Sequence, residues 1–223
     1  MYKLEAVSLA PQTELLTVLS SDAAFCSLLE ANINDPSQYE GGVLKRLLLE
    51  AQRHIEPARE IFSPEEFASA IDKVLKKWKQ DEGRYQVLFY AGVLMQTGRV
   101  EVCTAGDIRV HLVRGGQLVA RTKDHNMIDD PPEDPNQKLK HLLREFLLSV
   151  PTRSLDGTLN HGVPETLSWE LERRDSIVIC TSQFHRYANP QSYLPLATDV
   201  FSSKFADAKH GAFSGAVAEI EWQ

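Results

Sequence analysis

The chain has 223 residues, 43% of them hydrophobic, which is enough to bury a sizeable core in one domain and excludes a disordered tail protein. Its 24 Lys and Arg against 31 Asp and Glu give a formal charge of −7, and no continuous Lys/Arg stripe is visible that would neutralise nucleic-acid phosphates, so DNA and RNA are not expected partners. No run approaches the roughly 18 apolar residues that a membrane span needs, and Met1-Tyr2-Lys3-Leu4-Glu5 lacks the charged and apolar regions of a secretory leader. A cytoplasmic protein without a membrane partner is expected. Cys26, Cys103 and Cys180 are odd in number and far apart, which indicates core thiols and neither a disulfide framework nor a zinc knuckle.

The first thirty residues alternate apolar and polar runs around Ala10-Pro11-Gln12 and Ser20-Ser21-Asp22, reading as short strands and turns without a fixed register. From Gly42 the spacing becomes helical: Val43, Leu44, Leu47, Leu48, Ala51 and Ile55 form a stripe opposed by Lys45, Arg46, Glu50 and Arg53, ending near Pro57. Ser63-Pro64-Glu65-Glu66 announces a second helix, with a capping Ser, a Pro at the first helical position and Glu66 placed to reach back. Its buried face is Phe67, Ile71, Val74, Leu75 and Trp78, and Lys79 to Gly83 read as a polar break.

Tyr85 to Met95 is an almost continuous apolar run, and Gln96-Thr97-Gly98 turns it into Val100 and Val102 as a hairpin. A second tight connection, Ala105-Gly106-Asp107, leads to Ile108, Val110 and Leu112, and Gly115-Gly116 leads to Leu118-Val119-Ala120, so the stretch reads as an antiparallel meander. Asp129 to Asn136 reads as a loop, Gln137 to Leu148 as a helix, Leu167 to Leu171 and Ser176 to Cys180 as strands, Phe184 to Ala208 as helical, and Gly215 to Trp222 as a final strand. With no internal repeat or low-complexity linker, the economical reading is a single α+β domain over residues 1–223.

Four collinear segments carry a resemblance. Val102-Cys103-Thr104-Ala105-Gly106-Asp107-Ile108-Arg109 resembles the strand and turn around the Gly-Asp-Ser-Arg motif of the metal-dependent type 2C, or PPM, serine/threonine protein phosphatases. Arg121-Thr122-Lys123-Asp124-His125 is similar to that family's Leu-Thr-x-Asp-His segment, and Thr152-Arg153-Ser154-Leu155-Asp156-Gly157 to its Thr-Arg-Ala-Leu-Gly segment. Arg173-Arg174-Asp175 through Thr181-Ser182 resembles the Pro-Gly-Asp strand that runs into Ser-Asp-Gly. The resemblance implies a four-layer αββα sandwich of two antiparallel sheets, and a cleft in which aspartates hold two divalent cations that activate water against a phosphate monoester.

The chain departs from the family at the carboxylates. Ser182-Gln183-Phe184 stands in place of Ser-Asp-Gly, and Gly211-Ala212-Phe213 in place of the final acidic pair. For the N-terminal Asp-Gly-x-Gly-Gly the nearest positional candidates are Glu30-Ala31-Asn32 and Glu40-Gly41-Gly42. Asp107 alone survives, at a position the resemblance ties to a peripheral metal. Glu30, Asn32, Asp107, Gln183 and Ala212 are thus the degenerate cleft positions, and a catalytically silent pseudophosphatase is expected, with no cofactor and a protein partner such as a phosphoprotein or a kinase. The alternative is a divergent active enzyme using Mg²⁺ or Mn²⁺ on Asp107, Glu30, Asp35 or Asp129.

Other residues have plainer readings beside the chemical ones. Asp107 after Gly106 suits a tight hairpin turn, and Asp156-Gly157 suits a turn rather than a metal site. Asp124-His125 with Asp129-Asp130 is either a metal cluster or a solvated loop, and His161, His185 and His210 lack ligand spacing. Nothing places a base beside Cys180-Thr181-Ser182. Phe184, Tyr187 and Tyr193 should lie near the cleft, either filling it or presenting an aromatic surface.

Overall fold

The structure, a computed structural model, describes residues 2–8, 13–31, 42–55, 61–82, 87–126, 152–157, 164–181, 184 and 216–222. Three strands open the chain: β1 (Tyr2–Ser8), β2 (Thr13–Leu19) and β3 (Ala23–Ala31). β2 folds back onto β3, whereas β1 pairs along its whole length with β10 (Ala216–Trp222), from Tyr2 opposite Trp222 to Ser8 opposite Ala216. Every residue of β3 is buried, because helices cover one face and a second sheet the other. A strand buried on both sides shows no polar alternation, which is why its register is hidden in the sequence.

Helix α1 (Val43–His54) buries Val43, Leu44, Leu47, Leu48 and Ala51, the stripe its spacing predicts, and stops where Ile55 turns extended. Helix α2 (Pro64–Glu82) runs a turn past the expected end: Lys79 to Asp81 are exposed and continue its solvent face instead of breaking it. The helices are tied together where the Trp78 indole N–H donates to Glu50 Oε2 at 2.9 Å and the Arg46 guanidinium lies 4.2 Å above the Trp78 ring.

The remaining strands are β4 (Leu88–Gln96), β5 (Arg99–Ala105), β6 (Arg109–Arg114), β7 (Gln117–Arg121), β8 (Glu165–Glu170) and β9 (Ser176–Cys180). They complete two five-stranded antiparallel sheets, ordered β1-β10-β9-β6-β7 and β2-β3-β4-β5-β8. One core lies between α1, α2 and the second sheet, where Phe25, Phe62 and Phe67 meet ring to ring at 5.4 to 5.6 Å. The other lies between the sheets, with Cys26, Leu28, Val93, Met95 and Val102 against Ile108, Val110, Leu112, Ile177 and Ile179.

The expected meander is corrected. β4 with β5 and β6 with β7 are hairpins, but β5 and β6 belong to different sheets, so Gly106-Asp107 is a corner between layers and not a hairpin turn. The chain crosses between sheets again from β8 to β9, through Arg173-Arg174. There Arg174 takes a left-handed φ of 72°, at the position where the family resemblance has glycine. Asp175, itself buried, anchors this corner by accepting from Arg114 Nε at 2.9 Å, from Arg114 Nη2 at 2.8 Å and from the Glu172 amide at 2.7 Å.

Helix, sheet and sheet are three of the four expected layers. The expected helices at 137–148 and over most of 184–208 lie outside the described residues. No described helix is long and apolar enough to cross a membrane.

Candidate functional site

The strand registers bring one set of polar residues to a common end of the sandwich. Glu30, at the close of β3, stands opposite Phe89 at the start of β4, and Tyr90 stands opposite Ala105 at the close of β5. Asp107 therefore turns the corner beside them. In the other sheet Arg109 opens β6 opposite Cys180, which closes β9 just before Thr181.

Strand alternation sets the direction of Glu30. Phe25 and Leu29 point to the helical core and Cys26 and Leu28 to the inter-sheet core, so Glu30 extends the inter-sheet row. Glu30 is 3% exposed and Asp107 4%, which makes them two buried carboxylates at the mouth of the inter-sheet layer. Thr13, also buried, is the β2 partner of Glu30.

Arg109 and Asp124 form a two-pronged pair, with Nε donating to Oδ1 at 2.6 Å and Nη2 to Oδ2 at 2.5 Å. Burial works against the guanidinium's charge, but the Asp124 hydrogen bond and attraction outweigh it, with further help from Asp107, and the Arg109 pKa is raised. Cys180 is held as a neutral thiol: burial pushes its pKa up well beyond the usual range, against the opposing pull of Arg109 and with Asp124 and Glu30 adding to the rise. Its sulfur lies 3.5 Å from His111 Nε2. Cys26 and Cys103 are also free and buried, each pushed up to about 12 by desolvation, so the thiols act as core atoms.

His125 links the two sheets. Its Nε2 lies 3.1 Å from Glu165 Oε2 on β8, its amide donates to the Gly106 carbonyl at 3.2 Å, and its carbonyl accepts from the Thr152 amide at 2.9 Å. Asp124 and His125 are buried and meet Arg109 and Glu165, whereas Asp129-Asp130, with which the sequence pairs them as a metal cluster or a solvated loop, lie outside the described residues. Arg109 and Glu165 are the site residues that sequence reasoning passed over. Their partners are 15 and 40 positions away, and only the Asp-His segment of the resemblance hinted at them.

At the end of β9 the Thr181 hydroxyl accepts from the Phe184 amide at 3.4 Å, and the Phe184 ring is 1% exposed. Phe184 is therefore buried and does not present an exposed aromatic surface. Asp156-Gly157 is a turn docked on α2, where the Gly157 amide donates to Asp72 Oδ1 at 2.8 Å. Asn32, Asp35, Asp129, Gln183, Ala212, Tyr187, Tyr193, His161, His185 and His210 lie outside the described residues.

No protein-family model matches the chain, and no curated protein sequence does. Solved structures do. The serine/threonine phosphatase PstP/Ppp of Mycobacterium tuberculosis superposes with a TM-score of 0.68 at 15% identity, over 100% of this chain and 99% of that one. Stp1 of Staphylococcus aureus gives 0.71 at 11% identity, over 100% and 95%. The fold is that of the PPM-type serine/threonine phosphatases. Another structure of the PstP catalytic domain, at 14% identity and a TM-score of 0.65 over 99% of this chain and 96% of that one, is in complex with two manganese ions.

The described residues supply only part of a donor set for such ions. Among the described residues no three His, Cys, Asp or Glu converge as a metal ion requires. Glu30 and Asp107 remain as carboxylates, Asp124 is taken by Arg109, and the sequence supplies the neutral Gln183 where the resemblance expects an aspartate.

Proposed function

We propose that the chain is a PPM-fold pseudophosphatase, a domain that keeps the phosphatase sandwich without two-metal hydrolysis and serves in the cytoplasm as a protein-binding, regulatory module. The observation that supports this is the end of β9. Where the resemblance has Ser-Asp-Gly, this chain has Ser182-Gln183-Phe184, exchanging a bridging carboxylate for an amide and a glycine for a buried phenyl ring. Hydrolysis of phosphate monoesters needs accelerations up to about 10²¹, and even an outer-shell defect at a metal site costs about 10- to 100-fold. Loss of direct carboxylate ligands leaves too little of that machinery. The three buried thiols suit a reducing compartment, and a protein partner, a phosphoprotein or a kinase, suits a domain whose relatives in fold act on phosphoproteins.

A second reading is a divergent Mg²⁺- or Mn²⁺-dependent phosphatase, favoured by one observation: two carboxylates, Asp107 and the substitute candidate Glu30, are both buried. Hydrolysis of phosphoserine and phosphothreonine peptides, with and without Mn²⁺, separates the two. The expected result is no turnover above background, identical for the chain and its Asp107→Ala variant. Turnover that needs both Mn²⁺ and Asp107 would establish the second reading.

A further inference from the structure

The chain is acidic overall, yet seven of its 24 Lys and Arg lie on the paired helices α1 and α2. Helices α1 and α2 hold seven Lys and Arg against six acids, but Glu65, Glu66, Asp81 and Glu82 lie at the two ends of α2, Asp72 accepts from the Gly157 amide and Glu50 from the Trp78 indole, so the basic residues dominate the middle of the pair. No continuous Lys/Arg stripe is visible in the sequence because the face is built from two helices, each contributing cations at helical spacing. On α1, Lys45, Leu49 and Arg53 recur four apart, opposite the buried stripe, and all three are exposed. On α2, Lys73, Lys76 and Lys77 stand opposite buried Phe67, Ile71 and Val74, and are exposed as well. The contact of Trp78 with Glu50 and Arg46 joins the two helices into one layer. Glu65 and Glu66, at the other end of α2, bound the patch on that side. Leu49, 46% exposed, is an apolar spot set among these cations.

We propose that this α1–α2 face docks an acidic polypeptide segment carrying an apolar residue, its carboxylates meeting the lysines and its apolar side chain covering Leu49. This names the partner chemistry for the binding role proposed above, on which it rests, and puts the contact on the helical layer and not at the degenerate cleft. A polypeptide suits the face better than nucleic acid does. Helices of 12 and 19 residues offer a platform about 18 to 28 Å long, the span of a short peptide segment, whereas a duplex carrying a charge about every 1.7 Å is a longer polyanion that a chain of net charge −7 repels. Exposed ion pairs are individually weak and screened by salt, so binding must engage several lysines together and must fall as ionic strength rises.

The test uses the full chain and a fluorescein-labelled peptide of glutamates with one central leucine, followed by anisotropy at low and high salt. The charge reversal Lys73→Glu/Lys76→Glu/Lys77→Glu is expected to weaken binding by at least about tenfold, as does raising salt to about 0.5 M. Leu49→Ser should weaken the leucine-bearing peptide and leave an all-glutamate peptide unaffected. The control reversal Lys123→Glu/Arg173→Glu, at exposed sites off these helices, should have no effect. Circular dichroism melts establish that each variant is folded.

Absence of peptide binding, equal loss in the control reversal, or insensitivity to the triple reversal would overturn the proposal. So would single-stranded DNA of equal charge, or phosphatidylserine vesicles, binding the same lysines as tightly as the peptide. Hydrolysis is read separately: a silent chain that ignores the peptide refutes the docking face alone, and an active chain that binds it refutes the pseudophosphatase reading alone.

Discussion

Replacing Arg109 by methionine is expected to destabilise the fold by about 3–5 kcal/mol, because it leaves Asp124 as a buried carboxylate without its guanidinium. The Asp124 side chain is only 10% exposed and Arg109 only 22%, so water cannot replace the lost partner fully. For a chain of this length that cost corresponds to a drop in melting temperature of roughly 10 °C, measured by circular dichroism. The pair also holds the segment after β7 against the start of β6, next to the amide and carbonyl contacts of His125. Removing both charges with Arg109→Met/Asp124→Leu should recover most of the loss, since two matched apolar groups avoid the stranded charge. If Arg109→Met melts like the parent chain, the pair is a surface ornament and not a structural tie.

Gly106→Ala is expected to be comparably damaging, for steric reasons. Gly106 has φ 89°, a left-handed conformation that costs an L-residue roughly 1–2 kcal/mol. A Cβ there would sit 2.1 Å from Phe89 Cδ1 and 2.9 Å from Phe89 Cβ, so the whole ring and its attachment would have to move. Phe89 is 7% exposed and packed between the sheets, where overpacking adds about 1–3 kcal/mol. The sum, about 2–5 kcal/mol, falls on the corner that presents Asp107 and on the carbonyl that receives the His125 amide. Thermal melts would show it, and an unchanged melting temperature would mean that the corner is not held as tightly as its geometry implies.

α1 is legible from the spacing of its one buried face, and the hairpins β4–β5 and β6–β7 from their turns at Thr97-Gly98 and Gly115-Gly116, although β4 is buried on both faces. β3 was illegible because burial on both faces erases alternation, and the end of α2 because Lys79 to Asp81 look alike on a helix and in a loop. Local spacing cannot tell a hairpin from a corner either, so β5 to β6 read as one meander although the chain changes sheets at Gly106. At the site, Glu30 and Asp107 are candidates only through their place in a motif order, and the fold shows both to be buried. The ties Arg109 to Asp124 and His125 to Glu165 join distant segments, and the basic α1–α2 face joins two helices, so neither has a contiguous signature in the sequence.

The central claim is that this PPM-type sandwich lacks a two-metal centre, and a calorimetric titration of the folded chain with Mn²⁺ tests it most directly. The account predicts no saturable binding of two ions, and heats that are the same for the chain, for Glu30→Gln and for Asp107→Ala. Two bound ions, lost on substitution of Glu30 or Asp107, would contradict it.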